Sequence, residues 1–348
     1  MAAKTGPVRM AVVGLGRAGW DIHVRAIRGR KDFQLVEVVD LETTRVAEAR
    51  AEFGCKTFLD FKQFLRETQA ELIVIATQSK DHAPMSMAAM TTGKHVLSEK
   101  PMATSLRETD KALAAAKKAK GFYVIHQNAR LAPDFLHIKE VMKSGVLGEI
   151  YMIKRGQYSF GRRNDWQVLN EYGGGNLNNN GVHAVDQVLQ LMNSPVKDVW
   201  GDLQCVQNPG NTEDHVKVLI RTENGMVADV EVTTAVAVPA YAWMLMGSKG
   251  TLISDGETSR LRYHTQKLAK IKAVPLHMVP TRSYGVIGGS EKIEFKEEQM
   301  PSSAPPKKDY YDLLYESIRK GKALFAPAET VRQTMLVLER ARKGTKFT

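Results

Sequence analysis

Cysteine is nearly missing: Cys55 and Cys205 are the two in a chain of 348 residues. They are too few and too far apart for a disulfide framework or a zinc site. Long apolar runs are lacking too, and none approaches the roughly 18 residues a membrane helix needs. The opening Met1-Ala2-Ala3-Lys4-Thr5-Gly6-Pro7 has no apolar stretch of the secretory kind. The expectation is a cytoplasmic protein with no membrane partner. Aromatic residues are 7% of the chain, and although the net charge is +11 the basic residues are dispersed. Only short pairs such as Lys117-Lys118, Arg162-Arg163 and Lys307-Lys308 occur. Nucleic-acid binding needs basic clustering or a stacking platform, so a nucleic-acid partner is not expected. An anionic cofactor is the milder explanation of the charge. There is no repeat of 20 to 50 residues, and the one proline-rich stretch, Pro301-Ser302-Ser303-Ala304-Pro305-Pro306, reads as a short loop. With 43% apolar and 25% charged residues, the chain is an ordinary globular protein with length for two domains.

What is present begins with an apolar strand, Val8 to Val13, running into Gly14-Leu15-Gly16-Arg17-Ala18-Gly19 and then into helical sequence. In that context Gly14 permits a tight turn, Gly16 lets backbone approach a pyrophosphate, and Gly19 lets helix pack on strand, with the helix N-terminus facing the anion. A second strand, Phe33 to Val39, ends in Asp40, where a carboxylate accepts hydrogen bonds from an adenosine ribose. Asp40 favours NAD over NADP by repelling a 2′-phosphate; Arg45, on the following helix, weakens that preference. Further apolar runs at Leu72 to Ala76, Lys94 to Leu97 and Phe122 to Ile125 alternate with helical stretches. This is the pattern of a doubly wound parallel sheet, with ligands at the carboxyl ends of its strands. Thr77, Gln78 and Ser79 lie at one such end, Glu99 and Lys100 at another, where Pro101 stops the strand.

The pattern changes after residue 126. A helix from Asp134 to Ser144 precedes alternating segments at 149–158, 196–206, 215–222, 226–234 and 241–246, with a hairpin signal at Glu223-Asn224-Gly225. Helices close the chain at 310–319 and 329–342. The fold class expected is α/β: an N-terminal Rossmann domain (1–126) plus a C-terminal α+β domain (127–348) with a large open, mainly antiparallel sheet. The last helices are placed to pack back on the first domain. A second polar cluster, Gly173-Gly174-Gly175-Asn176-Leu177-Asn178-Asn179-Asn180-Gly181, can bring backbone close to a ligand. It leads into a helix on which His183 and Asp186 share a face near Gln187 and Gln190. For His183 a catalytic or substrate-binding role, a metal ligand and a structural cap compete. No matching ligand set stands out, so no metal is expected.

The order of these motifs, with His82 in Ser79-Lys80-Asp81-His82, Glu99-Lys100-Pro101 and Gly181-Val182-His183-Ala184-Val185-Asp186, resembles the Gfo/Idh/MocA oxidoreductases over nearly the whole chain. The resemblance implies sugar, inositol or related polyol substrates and a homodimer or homotetramer formed through the open sheet. By position, Gly14, Gly16, Arg17, Ala18 and Gly19 would hold the pyrophosphate and Asp40 the ribose. Thr77, Gln78, Ser79 and His82 would line the route to the nicotinamide ribose beside Glu99. Lys100 would meet nicotinamide and substrate, His183 would face it across the substrate, and Asn128 and Arg130 would sit near both ligands. Arg163, Asp165 and Trp166 would contact the sugar.

Oxidation of a secondary alcohol needs a hydride acceptor and a group that takes the hydroxyl proton. Burial and a cationic nicotinamide both push a lysine toward neutrality, which suits Lys100 to that role. The chain departs from the resemblance four residues before His183, where Asn179 replaces an aspartate. An asparagine cannot relay a proton as a carboxylate does, so the division of work between Lys100 and His183 stays open. Three readings follow: an NAD-dependent sugar or polyol oxidoreductase, a redox-neutral NAD-requiring lyase or glycoside-cleaving enzyme using the same groups, and a catalytically silent NAD-binding regulator.

Overall fold

The structure is a computed structural model that describes residues 6–279, 292–302 and 305–347. Ser303 and Ala304 of the expected loop lie outside these residues. The first sheet contains β1 (Val8–Val13), β2 (Phe33–Val39), β3 (Lys56–Phe58), β4 (Leu72–Ile75), β5 (His95–Ser98) and β6 (Tyr123–Ile125). Every pairing is parallel and the order is β3-β2-β1-β4-β5-β6. Leu72 to Ile75 are wholly buried, which is why this strand reads as an unbroken apolar run: helices cover both faces of a parallel sheet. β3 is absent from the strands read in the sequence because it has three residues and begins with an exposed lysine, leaving no periodicity to detect.

The connecting helices are α1 (18–27, with a π-helical first part, Ala18–Val24), α2 (Thr43–Phe53), α3 (Phe61–Glu67), α4 (His82–Met90) and α5 (Leu106–Ala116). Short polar side chains start two of them: the Gln63 N–H donates to Asp60 and the Glu108 N–H to Ser105.

Among the described residues the second sheet has eight strands: β7 (Ile150–Tyr158), β8 (Val196–Gln204), β9 (His215–Thr222), β10 (Val227–Thr233), β11 (Trp243–Gly247), β12 (Gly250–Ser254), β13 (Thr258–Tyr263) and β14 (Lys296–Pro301). Their order is β14-β13-β12-β11-β7-β10-β9-β8, and only β7 and β10 run parallel. The Glu223-Asn224-Gly225 segment joins β9 to β10 with Gly225 at φ 87°, so the hairpin stands as read. β12, β13 and β14 add an edge that the sequence analysis left unassigned, because β14 is mostly charged and exposed and the other two are short.

Helices α6 (Pro133–Ser144), α7 (Val182–Met192) and α9 (Arg332–Arg342) belong to the core on one face of this sheet. Val216, Val218 and Ile220 alternate along β9, and Ala228, Val230 and Val232 along β10, into that core. The opposite face carries Lys217 between Asp229 and Glu231, 2.8 Å from each, and an exposed Trp200. Between α6 and the sheet, Trp243 Nε1 donates to Asp134 at 2.8 Å.

Helix α8 (Tyr310–Lys320) returns to the first sheet. Asp309 and Asp312 form a capping box at its start, and Arg30 reaches both carboxylates at 2.8 and 2.6 Å. Tyr310, Tyr311 and Leu314 join the core of Met10, Phe33 and Leu35.

The two halves meet where the chain leaves β6. Arg130, on the turn Asn128–Leu131, donates from Nε and Nη2 to the two carboxylate oxygens of Asp186 on α7, each at 2.7 Å, and the pair is almost fully buried. Thr330 and Thr334 complete the set, Thr330 accepting from Arg130 at 3.0 Å and Thr334 donating to Asp186 at 3.1 Å. One step along α7, Gln187 Nε2 donates to the Ala129 carbonyl at 2.8 Å. Asp186→Ala strands a buried guanidinium, so urea denaturation is expected to read a loss of about 3–5 kcal/mol. Glu297→Gln, which breaks an exposed pair with Arg262, is expected to change stability by under about 1 kcal/mol.

Candidate active site

The glycine turn is built as its spacing requires. Gly14 sits at φ 89°, and a Cβ there would lie 2.6 Å from the Ala76 carbonyl oxygen; one on Gly19 would lie 1.8 Å from the Gly14 oxygen. A Cβ on Gly16 would meet nothing within 4 Å. Two glycines are therefore needed by the fold itself, and the third faces open space at the start of α1, where an anion can approach the N–H groups. Asp40 closes the turn. Its Oδ2 accepts from the Leu15 N–H at 2.6 Å and its Oδ1 from Glu42 at 2.9 Å, with Arg45 Nη1 3.4 Å away. A carboxylate offers about four acceptor positions, so Asp40 keeps capacity for a ribose hydroxyl. This cradle fits a dinucleotide. Arg17 is exposed beside it.

At the ends of β4 and β5 the chain forms the floor of the site. Thr77 Oγ1 is buried without a hydrogen-bond partner. Gln78 remains partly exposed, while Ser79 is buried close under Gly173. His82 takes a different part from the expected one. Its ring nitrogens lie 2.7 Å from the Pro101 carbonyl and 3.1 Å from that of Thr77, and it is 2% exposed. Its single ring hydrogen goes to one of these carbonyls, and the buried ring packs between the chain after β4 and the chain after β5.

Glu99 lies beneath Lys100 in a pocket of histidines. Its Oε1 is 2.7 Å from His126 Nδ1 and 3.0 Å from His23 Nε2, and its Oε2 accepts the Lys100 N–H at 3.1 Å. Burial acts to raise the Glu99 pKa, but His126, by charge and hydrogen bond, and the hydrogen bond of His23 outweigh it and hold the carboxyl well below its ordinary value. The three ligand-type side chains are close enough to suggest a metal. Tetrahedral zinc with bonds of 2.0–2.1 Å would hold its ligands about 3.3 Å apart, and these contacts are shorter, at hydrogen-bond length.

Lys100 Nζ donates to the Asn179 carbonyl at 2.5 Å and to its Oδ1 at 3.3 Å. Burial lowers the Lys100 pKa from its ordinary value; Glu99 opposes this, while the charges of Arg17 and Arg163 add to it. Across the cleft, His183 Nδ1 lies 3.1 Å from Gln127 Oε1. An amide oxygen only accepts, so Nδ1 carries the hydrogen and Nε2 keeps its lone pair. Burial, then the charge of Lys100, pushes the His183 pKa well down. The two groups are thus near enough to feel each other and arranged so that the imidazole is neutral.

The asparagine cluster divides its labour. Asn176 donates to the Asp214 and Val232 carbonyls, Asn178 to those of Gly173 and Gly174, and Asn180 to Asn176. Only Asn179 among the four meets Lys100. Glu213, buried behind them, accepts the Leu177 N–H at 2.9 Å, and a Cβ on Gly175 would collide with it at 2.5 Å. Arg163 and Asp165 pair with each other at 2.7 Å on the loop that leads to this cluster; Arg163 Nε is buried without a partner, and Trp166 is half-buried in the turn that Asp165 caps. Asn128 is exposed after β6. Arg130 departs from the expected ligand contact, since its guanidinium is committed to Asp186 and Thr330.

Four participants escaped the sequence analysis: His23, His126, Gln127 and Tyr311. His126 and Gln127 follow β6 as Thr77 and Glu99 follow β4 and β5, so their place at a strand end was a signal for them. His23 falls one turn after Gly19. Tyr311 has no local signal.

Comparison with known proteins agrees with this architecture. Residues 8–126 match the Gfo/Idh/MocA oxidoreductase family with its NAD-binding Rossmann fold, and residues 135–253 match the C-terminal domain of the same family. The protein belongs to the Gfo/Idh/MocA family of oxidoreductases. A scyllo-inositol 2-dehydrogenase (NADP(+)) of Bacillus subtilis is 25% identical over 99% of this chain and 95% of its own. A myo-inositol 2-dehydrogenase of Thermotoga maritima is 23% identical over 71% of this chain and 75% of its own. Among solved structures, an NAD-binding protein from Listeria innocua superposes with TM-score 0.79 and 25% identity, covering 96% of this chain and 95% of its own.

The histidines give the fold an acid weakness. His23, His82 and His183 all have pKa values lowered below 6.5, principally by burial. Below about pH 6.5 the unfolded chain takes up protons that the folded chain refuses, so stability is full above that value and lost as pH falls. The urea midpoint is expected to decrease between about pH 7.5 and about pH 5.5, and equal midpoints would contradict these assignments.

Proposed function

We propose that the protein interconverts a secondary alcohol of a sugar or polyol and its ketone with NAD, using Lys100 and His183 for proton transfer. The observation that supports this reading is the bond from Lys100, at the end of β5, to Asn179, one turn before His183, which brings groups from separate halves of the chain together, with burial drawing Lys100 toward neutrality and pushing the His183 pKa well down. The inositol dehydrogenases among the relatives support the substrate class.

Gly14, Gly16, Arg17, Ala18 and Gly19 hold the pyrophosphate in this reading, and Asp40 the ribose. Thr77, Gln78, Ser79, Glu99 and Asn128 lie toward the nicotinamide end. Bound NAD supplies the hydride acceptor and a positive charge. Lys100 and His183 Nε2 both face the substrate hydroxyl. Oxidation requires one to take its proton; in reduction a protonated Lys100 donates and its charge stabilises the developing alkoxide. Asn179 fixes the Lys100 ammonium by two oxygens in place of a carboxylate. Arg163, with its unpartnered Nε, Asp165 and Trp166 bind the rest of the sugar. Asp40 favours NAD over NADP, and the exposed face of the second sheet serves assembly into a homodimer or homotetramer.

With NAD and a panel of inositols, aldoses and uronic acids, growth of reduced-nicotinamide absorbance is expected for at least one compound. Lys100→Ala is expected to lower kcat/KM by on the order of 10²-fold or more while NADH binding, followed by fluorescence, survives. No turnover in either redox direction across the panel would sink the proposal. For the nucleotide preference, kcat/KM should be higher with NAD than with NADP, and Asp40→Ser should narrow the gap; a higher value with NADP contradicts the role given to Asp40.

A further inference from the structure

The hydrogen bonds around Glu99 run on past the site to the far end of the chain. His23 is fully buried, and its second ring nitrogen, Nδ1, lies 2.7 Å from the hydroxyl of Tyr311 on α8, 288 residues away in sequence. The direction of each bond is fixed. An ionised carboxylate can only accept, so the Nε2 that faces Glu99 carries the hydrogen. Burial keeps the His23 ring neutral, which leaves Nδ1 as an acceptor and makes the Tyr311 O–H the donor. Burial also raises the Tyr311 pKa well above its ordinary value, so that hydroxyl retains its proton.

We propose that Tyr311 is a positioning residue of the active site: its hydroxyl fixes the His23 tautomer that keeps Glu99 ionised and oriented against Lys100. The inference rests on Lys100 being a proton-transfer group. Glu99 attracts the Lys100 ammonium and accepts its main-chain N–H, so the charge on Glu99 bears directly on when Lys100 gives up its proton.

Removing the hydroxyl leaves His23 Nδ1 as a buried acceptor without a donor. Exchanging the ring tautomer would set the Nε2 lone pair against the carboxylate, acceptor facing acceptor. Uptake of one proton by the His23–Glu99 pair avoids that clash, and it cancels the carboxylate charge. The attraction holding the ammonium on Lys100 then weakens and its pKa moves further down. The other groups facing this pair are His126 and Tyr310, whose rings meet edge to face with centroids 4.6 Å apart, and His82 on α4. Around Tyr311 stand Arg30 and Asp309, and Arg17 and Arg163 face Lys100 from the cleft. All are retained in Tyr311→Phe, so the change falls on one hydrogen bond.

Tyr310 supplies the control. It lies on the same helix, is also buried, and donates its hydroxyl to the Ile125 carbonyl at 2.9 Å, outside the chain of bonds to Glu99. Three readouts on the full-length protein test the proposal: ¹⁵N spectra of the histidines, the pH dependence of Lys100 acylation by an amine reagent, and steady-state kinetics. In the wild type, His23 is expected with hydrogen on Nε2 and none on Nδ1. In Tyr311→Phe the His23 spectrum changes, and Lys100 is acylated several-fold faster below its midpoint because that midpoint has moved to lower pH. The same variant lowers kcat by on the order of tenfold, with the cofactor KM within about twofold. Tyr310→Phe changes none of these.

A wild-type His23 with hydrogen on Nδ1 overturns the proposal without any variant, and so settles it should Tyr311→Phe fail to fold. So does a folded Tyr311→Phe whose His23 spectrum and Lys100 midpoint match the wild type, whatever its kcat, and so do equal effects of Tyr310→Phe. If the wild type turns over no compound, the proposed reaction fails, while the His23 and Lys100 readouts still decide the role of Tyr311.

Discussion

Helix α7 stands where it does because three of its side chains grip the segment after β6. His183, Asp186 and Gln187 occupy spacings of three and four on one helical face, and they meet Gln127, Arg130 and the Ala129 carbonyl in turn. The charged member is buried, so neither partner can drift into water without leaving the other uncompensated. That constraint carries His183 to the mouth of the first sheet. Together with the Lys100–Asn179 contact it fixes His183, on α7, relative to Lys100, which follows β5.

Charge is the second organising theme. Lys100, Arg17 and Arg163 crowd the cleft with positive charge, against which stand Asp165 in the loop and Glu99 below. Glu99 tolerates burial because every polar contact it makes is a donor. Asn179 supplies two oxygens and no charge, so Lys100 is held without being clamped in its protonated form as a carboxylate would clamp it.

Much of this was legible in the sequence where the physics is local. The glycine turn and Asp40 follow from spacing alone, as does the hairpin at Asn224-Gly225, and the apolar runs located five of six parallel strands. Lys100 and Asn179 stood out because a charge after an apolar run, or four asparagines around a glycine, is hard to explain by packing. What escaped depends on contacts between distant residues. Arg130 looked like a ligand group until Asp186 was seen to occupy it, and His82 until its two carbonyl partners appeared. Tyr311 sits in an ordinary amphipathic helix, and nothing within the helix distinguishes it from Tyr310. β14 was invisible for the opposite reason: an exposed edge strand needs no apolar alternation.

The return of α8 to the first sheet also sets an order of events for a chain emerging from a ribosome. Met10, Phe33 and Leu35 are made early, but the side chains that cover them from α8, Tyr310, Tyr311 and Leu314, are made after the whole second sheet. In chain order the second sheet is an insert within the nucleotide-binding half. The first half must therefore wait, with part of its apolar surface uncovered, for nearly the full length of synthesis, which is the interval in which a chaperone would have most to hold.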